Sequence, residues 1–401
     1  MSHLALMIPT IDRIGGAERQ VLLLAAGLHR RGWNVTVIAL AGTGGEAAEE
    51  LKREGIGYLS LEMRKGLADP RGWLRLVTWL RENKPDVVHA HLPHAAWMAR
   101  AVRLLVRVPV VVDTIHSSST GGWWRRLFYW LTSSLPDRVI AVSKAAAEAH
   151  LKARMVNGKR LTVIANGVDV EEWRVDAIGR ERLRRGFGLG DKFVWLAAGR
   201  LEPVKDYPTL LRAFCKVSGR ACLVIAGGGT QRQELEMLVE RLGLGRRVRF
   251  PGFVPDVKRW MQAADGFVLT SRWEGLPMGI LEAGACELPQ VATRVSGTCE
   301  AMKDGVTGWL AEAGNDGELA EAMNRMMAMP REERRLMGVR ARQRVVERFS
   351  LEAALDRHEA LYRELLAAKS CRVVGPGVAT AADQVRLADR VADGNGVSSD
   401  A

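Results

Sequence analysis

Residues 272–284 read R-W-E-G-L-P-M-G-I-L-E-A-G and follow a short apolar run, Gly266–Ser271. That β-branched, apolar run is typical of a buried parallel strand. Pro277 is suited to the first turn of a following amphipathic helix, where its missing N–H is not needed. The turn between them is therefore predicted to expose Glu274 and the main chain of Gly275 at the carboxyl end of a strand. Open α/β sheets bind their ligands at that end.

The stretch contains a second acidic residue with a fixed spacing from the first. Glu282 follows Glu274 by eight residues, about two helical turns, so the helix can present it on the same side. Carboxylates accept hydrogen bonds from hydroxyls, and a helix N-terminus attracts anions. The pair suits a ligand that carries hydroxyls and a phosphate. In isolation, two solvated glutamates on a capped helix are the commoner explanation, so the rest of the chain has to decide.

The composition sets the broad class of the protein. The 401 residues are 47% hydrophobic, which is typical of a globular chain with two or three domains. The net charge of +12 indicates acidic partners: phosphorylated substrates, anionic lipid or nucleic acid. The five cysteines show no C-x-x-C spacing, so we expect reduced thiols and neither a disulfide framework nor a zinc site. No apolar run could span a bilayer and the start lacks signal-peptide features, so we expect a cytoplasmic protein.

Strand and helix patterns alternate along most of the chain. From Leu4–Pro9 to 161–165 the alternation is strict, which predicts an α/β protein with a parallel, doubly wound sheet. The rhythm breaks at Asn166–Trp173 and over the charged segment 174–191, then resumes at Phe193–Gly199. We therefore predict one domain over 1–168 and another over 169–350. Residues 373–401 are rich in small and polar residues without apolar periodicity, and we expect them to be disordered.

Two cations follow the first strand of the second half. Arg200 and Lys205 lie in A-G-R-L-E-P-V-K-D, at a strand edge close to the predicted turn at Glu274. A guanidinium fork beside an ammonium group is suited to clamping a diphosphate. Taken alone, two solvated surface cations explain the pattern equally well.

Two glycine-rich turns also follow strands. The segment A-G-G-G-T at 226–230 fails the dinucleotide fingerprint because position 232 is arginine, so no nicotinamide cofactor is expected. Gly228 still allows the main chain to approach a nucleotide closely. Gly15 and Gly16 precede a helix that begins near Ala17, where the main chain could approach a ligand. A tight strand-to-helix turn is an equally good explanation of that pair.

Histidines are placed at the same strand edge. His116 ends a strand and could hydrogen-bond a sugar hydroxyl or a phosphate oxygen, although a structural role fits equally well. Alternation places His89 and His91 on one face of another strand, with His94 close behind. No carboxylate or cysteine completes a ligand set, so we expect no metal site.

One predicted helix mixes aromatic residues with arginines. Residues 121–131 read G-G-W-W-R-R-L-F-Y-W-L, a composition typical of a helix that lies on an anionic membrane with Trp and Tyr at headgroup depth. An alternative is that the aromatic side chains belong to the core and the arginines extend past them into solvent. Binding of single-stranded nucleic acid is a weaker alternative, because no recognisable RNA-binding module surrounds the segment.

Taken together, these residues resemble the retaining glycosyltransferases of family 4, which have the GT-B fold, over about Leu4 to Tyr362. No single marker is specific, but the ordered set is. Its members are G-G-A-E at 15–18, H-S at 116–117, V-S-K at 142–144, N-G-V-D at 166–169, G-R-L at 199–201 with K-D at 205–206, G-G-G at 227–229, F-P-G-F-V at 250–254, E-G-L-P at 274–277, Glu282 and G-x-x-E ending at Glu300. The sequence G-A-C at 284–286 departs from the more usual A-M-A.

The resemblance implies two Rossmann-like domains that face each other across a cleft, with helix 351–368 crossing back to the first domain. It implies that a nucleotide-sugar donor binds the second domain and an acceptor the first. The implied site residues are Arg200 and Lys205 at the diphosphate, Glu282 at the ribose, Phe253 and Val254 at the base, Glu274 with the main chain of Gly275, Leu276, Pro277 and Met278 at the donor sugar, Gly16 opposite the phosphates and His116 at the transferred sugar. It also implies retention of configuration without a metal or other cofactor, since fixed cations and helix N-termini can stabilise the leaving diphosphate.

The resulting hypothesis is a hexosyltransferase-type enzyme that moves a sugar from a UDP-linked donor to a lipid-linked or polysaccharide acceptor in cell-envelope glycan biosynthesis. We expect it in the cytoplasm, peripheral on the inner face of the cytoplasmic membrane, and without a nucleic-acid partner. One alternative is a GT-B epimerase that acts on sugar nucleotides. The other is a non-catalytic protein that binds nucleotide sugars or serves as a membrane scaffold.

Overall fold

The computed structural model describes residues 1–12, 14–64, 69–254 and 256–373, and this part of the chain forms two parallel sheets covered by helices. The predicted disordered tail lies outside the described residues except for Val373, which ends the last helix.

The N-terminal half is built on a sheet with the strand order β3-β2-β1-β4-β5-β6-β7. Its strands are β1 His3–Ile8, β2 Asn34–Ala39, β3 Gly57–Ser60, β4 Val87–His91, β5 Val110–Ile115, β6 Arg138–Ala141 and β7 Leu161–Val163. Its helices are α1 Gly16–Arg30, α2 Gly45–Arg53, α3 Pro70–Asn83, α4 Pro93–Val102, α5 Trp123–Leu131, α6 Lys144–Lys152 and a short 3-10 helix, Gly158–Arg160. The strand order reverses between β1 and β4, which creates a crevice at their carboxyl ends.

The C-terminal half repeats this architecture with the strand order β10-β9-β8-β11-β12-β13. Its strands are β8 Phe193–Ala198, β9 Ala221–Ala226, β10 Val248–Gly252, β11 Gly266–Leu269, β12 Gln290–Thr293 and β13 Gly308–Ala311. Its helices are α7 Ala177–Gly186, a 3-10 turn Pro203–Lys205, α8 Tyr207–Cys215, α9 Arg232–Arg241, α10 Val257–Ala263, α11 Met278–Ala285, α12 Ser296–Ala301, α13 Asp316–Ala328 and α14 Arg331–Phe349. The last helix, α15 Leu351–Val373, follows them and packs on the N-terminal half. The order reverses between β8 and β11, so the strands that precede Arg200 and Glu274 are neighbours.

The strands are buried on both faces because helices cover both faces of each sheet. Strands β1, β4 and β5 are buried almost throughout, as parallel strands between two helical layers are. One buried charge is compensated within this core: Arg100 of α4 donates to Asp113 of β5 at 2.6 Å. Pairing is required there, because an isolated buried charge would cost several kcal/mol.

The chain passes between the halves twice, and the two passages are hydrogen-bonded to each other. The N–H of Val168 donates to the carbonyl of Phe349 at 2.8 Å, and the N–H of Leu351 donates to the carbonyl of Val168 at 2.9 Å. Gly167 is required at this point, because a Cβ there would lie 2.7 Å from the Cα of Leu351. Beyond this point α15 packs against α1 of the N-terminal half, where Arg31 pairs with Glu352 at 2.5 Å.

Four elements differ from the sequence-based expectation. Helix α7 lies inside segment 174–191, which the pattern presented as irregular. It has no apolar stripe and is held instead by Arg180 and Arg184, which pair with Asp265 at 2.5 and 2.9 Å. The short elements α10, α12 and β13 were also missed, because four to seven residues carry little periodicity.

The helix after the quoted stretch also differs in detail. It begins at Met278, with Pro277 in the preceding cap position. It is buried over Ile280–Ala285 and is therefore not the amphipathic helix that the sequence suggested.

Candidate active site

The segments that follow β5 and β11 meet at the carboxyl ends of the two sheets. A Cβ added to Gly275 would collide with the main-chain carbonyl of His116, so glycine is what allows this approach. The hydroxyl of Ser118 donates to the carbonyl of Glu274 at 3.0 Å. The structure thus brings the predicted residues His116, Glu274 and Gly275 together across the junction of the two halves.

Lys205 and Glu274 form an ion pair within the C-terminal half. The hydroxyl of Thr270 at the end of β11 donates to the carbonyl of Lys205 at 2.7 Å, which fixes the 3-10 turn against the strand. The ammonium of Lys205 then lies 2.5 Å from Oε1 of Glu274. The hydroxyl of Ser271 donates to the same carboxylate oxygen at 2.6 Å. The predicted phosphate-binding and sugar-binding side chains are therefore adjacent and bonded to each other.

Arg200 lies at the end of β8 and is exposed. Its guanidinium has no hydrogen-bond or ion-pair partner within the described ranges. It is therefore available to an anion at the same strand edge as Lys205.

The glycine turn after β9 packs against the turn that carries Arg200. A Cβ at Gly227 would collide with the carbonyl of Gly199, and one at Gly229 would lie 2.5 Å from the carbonyl of Leu201. Packing between these turns thus explains both glycines. Gly228, the residue predicted to approach a nucleotide, faces open space.

Glu282 is buried, and its carboxyl group has no hydrogen-bond or ion-pair partner among the described residues. Its side chain is 9% exposed, and burial raises the pKa of its carboxyl to about 7, opposed by Arg19 and reinforced by Glu172. Arg19 pairs instead with Glu172, at 3.2 Å. A carboxylate held in such a site has unused acceptor capacity, as expected of a group that accepts from ligand hydroxyls.

The start of α11 offers main-chain donors. The N–H groups of Gly275, Leu276 and Met278 have no hydrogen-bond partner in the part of the chain that the structure describes, and Pro277 has none to offer. Unpaired N–H groups at a helix start form a site for an anion.

Gly15 and Gly16, the two glycines before α1, have different contacts. The N–H of Gly15 donates to Glu18 at 3.1 Å and so caps its own helix, which leaves that donor engaged. Gly16 faces the other half of the molecule, since a Cβ there would lie 3.4 Å from Cγ of Met278. Gly16 therefore lies opposite the start of α11.

His116 is half-buried and lies beside two fully buried histidines, His91 and His89. Its Nε2 lies 3.0 Å from Nδ1 of His91, and the rings of His91 and His89 lie 4.1 Å apart, as strand alternation predicts. Burial lowers the pKa of His116 to about 4. His94 is separate, exposed and packed edge-on against Trp97. Among the described residues, no three His, Cys, Asp or Glu side chains are arranged to hold a metal ion.

Phe253 and Val254, the residues expected at the base of the nucleotide, differ sharply in exposure. Phe253 is 74% exposed after β10, whereas Val254 packs against the core of the C-terminal half. An exposed ring at a strand edge is able to stack on a planar ligand.

The sequence analysis missed the residues that connect the two halves. Gln20 donates to the carbonyl of Gly167 at 2.8 Å and accepts from its N–H at 3.0 Å, while its amide also contacts Sδ of Met278 at 3.8 Å. Glu300 accepts from the main chain of α6. The segments V-S-K and G-x-x-E were noticed as markers, but only the structure shows that they touch.

Comparisons with known proteins agree with this arrangement. The family model described as glycosyltransferase family 4 matches residues 14–172, and the one described as glycosyl transferases group 1 matches residues 179–344. The lipopolysaccharide core biosynthesis glycosyltransferase LpsE of Rhizobium meliloti is 30% identical over 360 residues, covering 88% of this chain and 96% of LpsE. A galactosyltransferase of Escherichia coli, named as acting from UDP-Gal on GlcNAc-diphosphoundecaprenol, is 27% identical over 320 residues, 76% of this chain and 81% of that protein.

Solved structures show the same fold at lower identity. HepE of Anabaena, solved with UDP and glucose, superposes with a TM-score of 0.82 at 22% identity, over 91% of this chain and all of that one. The sucrose-phosphate synthase of Thermosynechococcus elongatus gives a TM-score of 0.81 at 21% identity, over 92% of this chain and all of that one. Two doubly wound halves whose strand ends face each other, with these relatives, establish the GT-B fold. The chain belongs to the family 4 glycosyltransferases and is a glycosyltransferase.

Proposed function

We propose that this glycosyltransferase uses a UDP-linked sugar and transfers the sugar with retention of configuration. The observation that carries the proposal is the grouping of Lys205, Glu274 and the unpaired N–H groups of α11 directly opposite His116. The proposal gains support from the E. coli relative, whose name specifies UDP-Gal, and from HepE, which was solved with UDP and with UDP-glucose.

Each residue of the site has a role that its chemistry suits. Arg200 and Lys205 hold the diphosphate, with the N–H groups at 275, 276 and 278 beside them. Glu282 accepts from the ribose hydroxyls, and Phe253 with Val254 contacts the base. Glu274 and His116 contact the transferred sugar. When the diphosphate attracts Lys205, the carboxylate of Glu274 is released toward the sugar hydroxyls.

The reaction needs charge stabilisation at the leaving group. As the glycosidic bond breaks, negative charge develops on the diphosphate, and fixed cations and helix N–H groups stabilise it without reorganisation. We propose that no metal takes part. Retention follows if the acceptor hydroxyl attacks the face from which the diphosphate leaves, through an oxocarbenium-like state.

The buried pocket behind His116 is too small for a sugar. The cavity beside His91 and His116 has a volume of about 20 Å³, which is room for little more than one water. A sugar that contacts His116 must therefore lie outside this pocket.

For the acceptor, we propose a lipid-linked glycan of the cell envelope, met at an anionic membrane surface. LpsE is named for lipopolysaccharide core biosynthesis and the E. coli relative for an undecaprenol-linked acceptor. No helix in the described ranges is long and apolar enough to cross a bilayer. An exposed apolar and basic surface would suit such a contact with lipid.

Such a surface exists where α4 ends and along α5. Six apolar side chains are each at least half exposed there: Leu104, Leu105, Trp123, Trp124, Trp130 and Leu131. We call them the α4–α5 surface. Of the helix α5, only Tyr129 is buried, so the three tryptophans of this helix are not part of the core. Arg107 and Arg126 are exposed among them, and this mixture of tryptophan and arginine suits the headgroup layer of an anionic bilayer.

The first test is thermal unfolding with UDP, GDP and ADP in turn. A ligand at a hundred times its Kd should stabilise the protein by about 2.7 kcal/mol. We expect a shift in Tm with UDP, its loss in Glu282→Ala, and its retention in the exposed control Glu321→Ala. A shift with another nucleotide and none with UDP would contradict the choice of donor.

The relatives do not favour the two alternatives, an epimerase and a non-catalytic scaffold. An epimerase would convert a UDP-sugar with no acceptor present, and this reaction can be measured separately.

A further inference from the structure

The side chain of His116 is held by a second histidine, which is not among the family markers quoted above. His91 on β4 is 2% exposed, and its Nδ1 lies 3.0 Å from Nε2 of His116. The other ring nitrogens, Nε2 of His91 and Nδ1 of His116, are buried without a hydrogen-bond partner among the described residues. Each ring thus has one nitrogen in the hydrogen bond between the rings and one nitrogen without a partner among the described residues.

Both rings are neutral at physiological pH. Burial lowers the pKa of His116 to about 4 and that of His91 well below its ordinary value. A neutral imidazole has one N–H and one lone pair, so a single proton lies in the contact between the two rings. When His91 donates, the free Nδ1 of His116 is a donor; when His91 accepts, that Nδ1 is an acceptor.

The ring of His91 is itself held in place. It stacks on His89, with the ring centroids 4.1 Å apart. His89 in turn contacts the hydroxyl of Tyr362 and that of Thr114, each at 2.6 Å. His358 flanks the cluster, 5.8 Å from the ring of His89. The hydrogen bond to His116 is therefore formed by a ring with little freedom to turn.

We propose that His91 is a positioning residue for sugar transfer, which fixes the orientation and the tautomer of His116. This inference rests on the proposed role of His116 at the transferred sugar. The tautomer matters because it decides whether the free nitrogen of His116 donates to a sugar oxygen or accepts from a hydroxyl. A purely structural histidine would be replaceable by any side chain of similar volume.

Two variants distinguish a positioning role of His91 from a role that only fills space. The amide of His91→Asn places a hydrogen-bonding atom where Nδ1 stands, whereas His91→Leu fills the space without a polar group. The measurements are the tautomer of His116, from long-range ¹H–¹⁵N spectra of the full chain with labelled histidine, and UDP release from UDP-galactose and UDP-glucose. We expect one tautomer of His116 in the wild type and in His91→Asn, and a mixture in His91→Leu. We expect kcat to fall about tenfold or more in His91→Leu, with little change in KM or in stabilisation by UDP.

Two outcomes would each overturn the inference. The first is an unchanged His116 tautomer in His91→Leu. The second is a kcat that is the same in the wild type, in His91→Asn and in His91→Leu. His116→Ala identifies the other failure: full activity in that variant would contradict the proposed role of His116, while the spectra would still report on His91. If His91→Leu does not fold, a wild-type spectrum with mixed His116 tautomers between pH 6 and 8 also overturns the inference.

Discussion

The carboxylate of Glu300 caps a helix in the opposite half of the molecule, accepting from the N–H groups of Ala145 and Lys144 at 2.7 and 2.9 Å. N–H groups at a helix start lack partners within the helix and attract carboxylates. Ser143 serves the same helix from within its own half by accepting from Ala146 at 3.1 Å. One half of the enzyme thus supplies a cap that the other half lacks when the two separate.

Removing this carboxylate should loosen the closed arrangement. Loss of a capping group costs about 0.5–2 kcal/mol, so in Glu300→Ala we expect amide hydrogen exchange at residues 144–145 to quicken about fivefold. We also expect the radius of gyration from X-ray scattering to increase without ligand. Glu321→Ala on α13 is the matched control. Unchanged exchange at residues 144–145 would show that the cap does not hold the halves together.

Variants of Lys205 and Glu274, which form an ion pair, should affect UDP binding and catalysis differently. In Lys205→Ala, UDP affinity should fall, because a cation is lost from the diphosphate site. In Glu274→Gln, UDP affinity should stay the same or rise, because the ammonium is freed, while kcat falls by about 100-fold. Calorimetric titration of UDP and UDP release from UDP-galactose measure the two effects. Weaker UDP binding in Glu274→Gln would argue against competition for Lys205.

Glu282 should reduce stability in the unliganded enzyme at alkaline pH. Its pKa rises from the ordinary value of 4.5 to about 7 on folding, so the folded protein holds this proton more tightly than the unfolded chain does. The contribution to stability is present below pH 4.5 and is lost as the pH rises through 7. Glu282→Gln should therefore be more stable than the wild type at pH 8, by about 3 kcal/mol at most.

The same variant should bind UDP poorly, because an amide is a weaker acceptor for the ribose hydroxyls. Urea unfolding at pH 5 and pH 8, with and without UDP, measures both effects. A Glu282→Gln protein that is destabilised at pH 8 would contradict the assignment of an uncompensated buried carboxylate.

The α4–α5 surface should bind anionic vesicles. Each basic residue near such a membrane contributes about 1 kcal/mol, so Arg107→Ala/Arg126→Ala should lower the vesicle partition coefficient roughly thirtyfold. Trp124→Ser/Trp130→Ser should weaken binding through the lost apolar area. Co-sedimentation with phosphatidylglycerol vesicles at low and high salt measures both, with neutral vesicles as the control. Complete release of the wild type at low salt would refute the membrane contact.

The sequence was sufficient to predict what depends on local pattern. Alternating strands and helices gave the doubly wound halves, and the turns at Gly15, Arg200 and Glu274 gave the strand edges that carry the site. Helix α7 was missed because it is stabilised by Arg180 and Arg184 on Asp265, a contact between residues about 80 apart that no period reveals. Those predictions that depend on a ligand, such as the roles of Phe253 and Glu282, stay predictions.

Contacts between the halves were also beyond prediction from sequence. Neither the Gly275–His116 contact nor the Glu300–Ala145 hydrogen bond follows from a local pattern, since each joins segments more than 150 residues apart. The ion pair of Lys205 with Glu274 was equally hidden, because charge alone does not tell whether a cation and a carboxylate turn toward a ligand or toward each other.

The paired passages at Val168 and Leu351 determine how this enzyme can open. Two separate linkers would let the halves slide and drift apart, but two passages hydrogen-bonded side by side can act as a single hinge. We therefore expect the two halves to rotate about this point, with displacements that grow with the distance from it. The cleft can then widen at its far side while Gln20 and Gly167 keep their hydrogen bonds, and we expect closure to bring His116 back against Gly275.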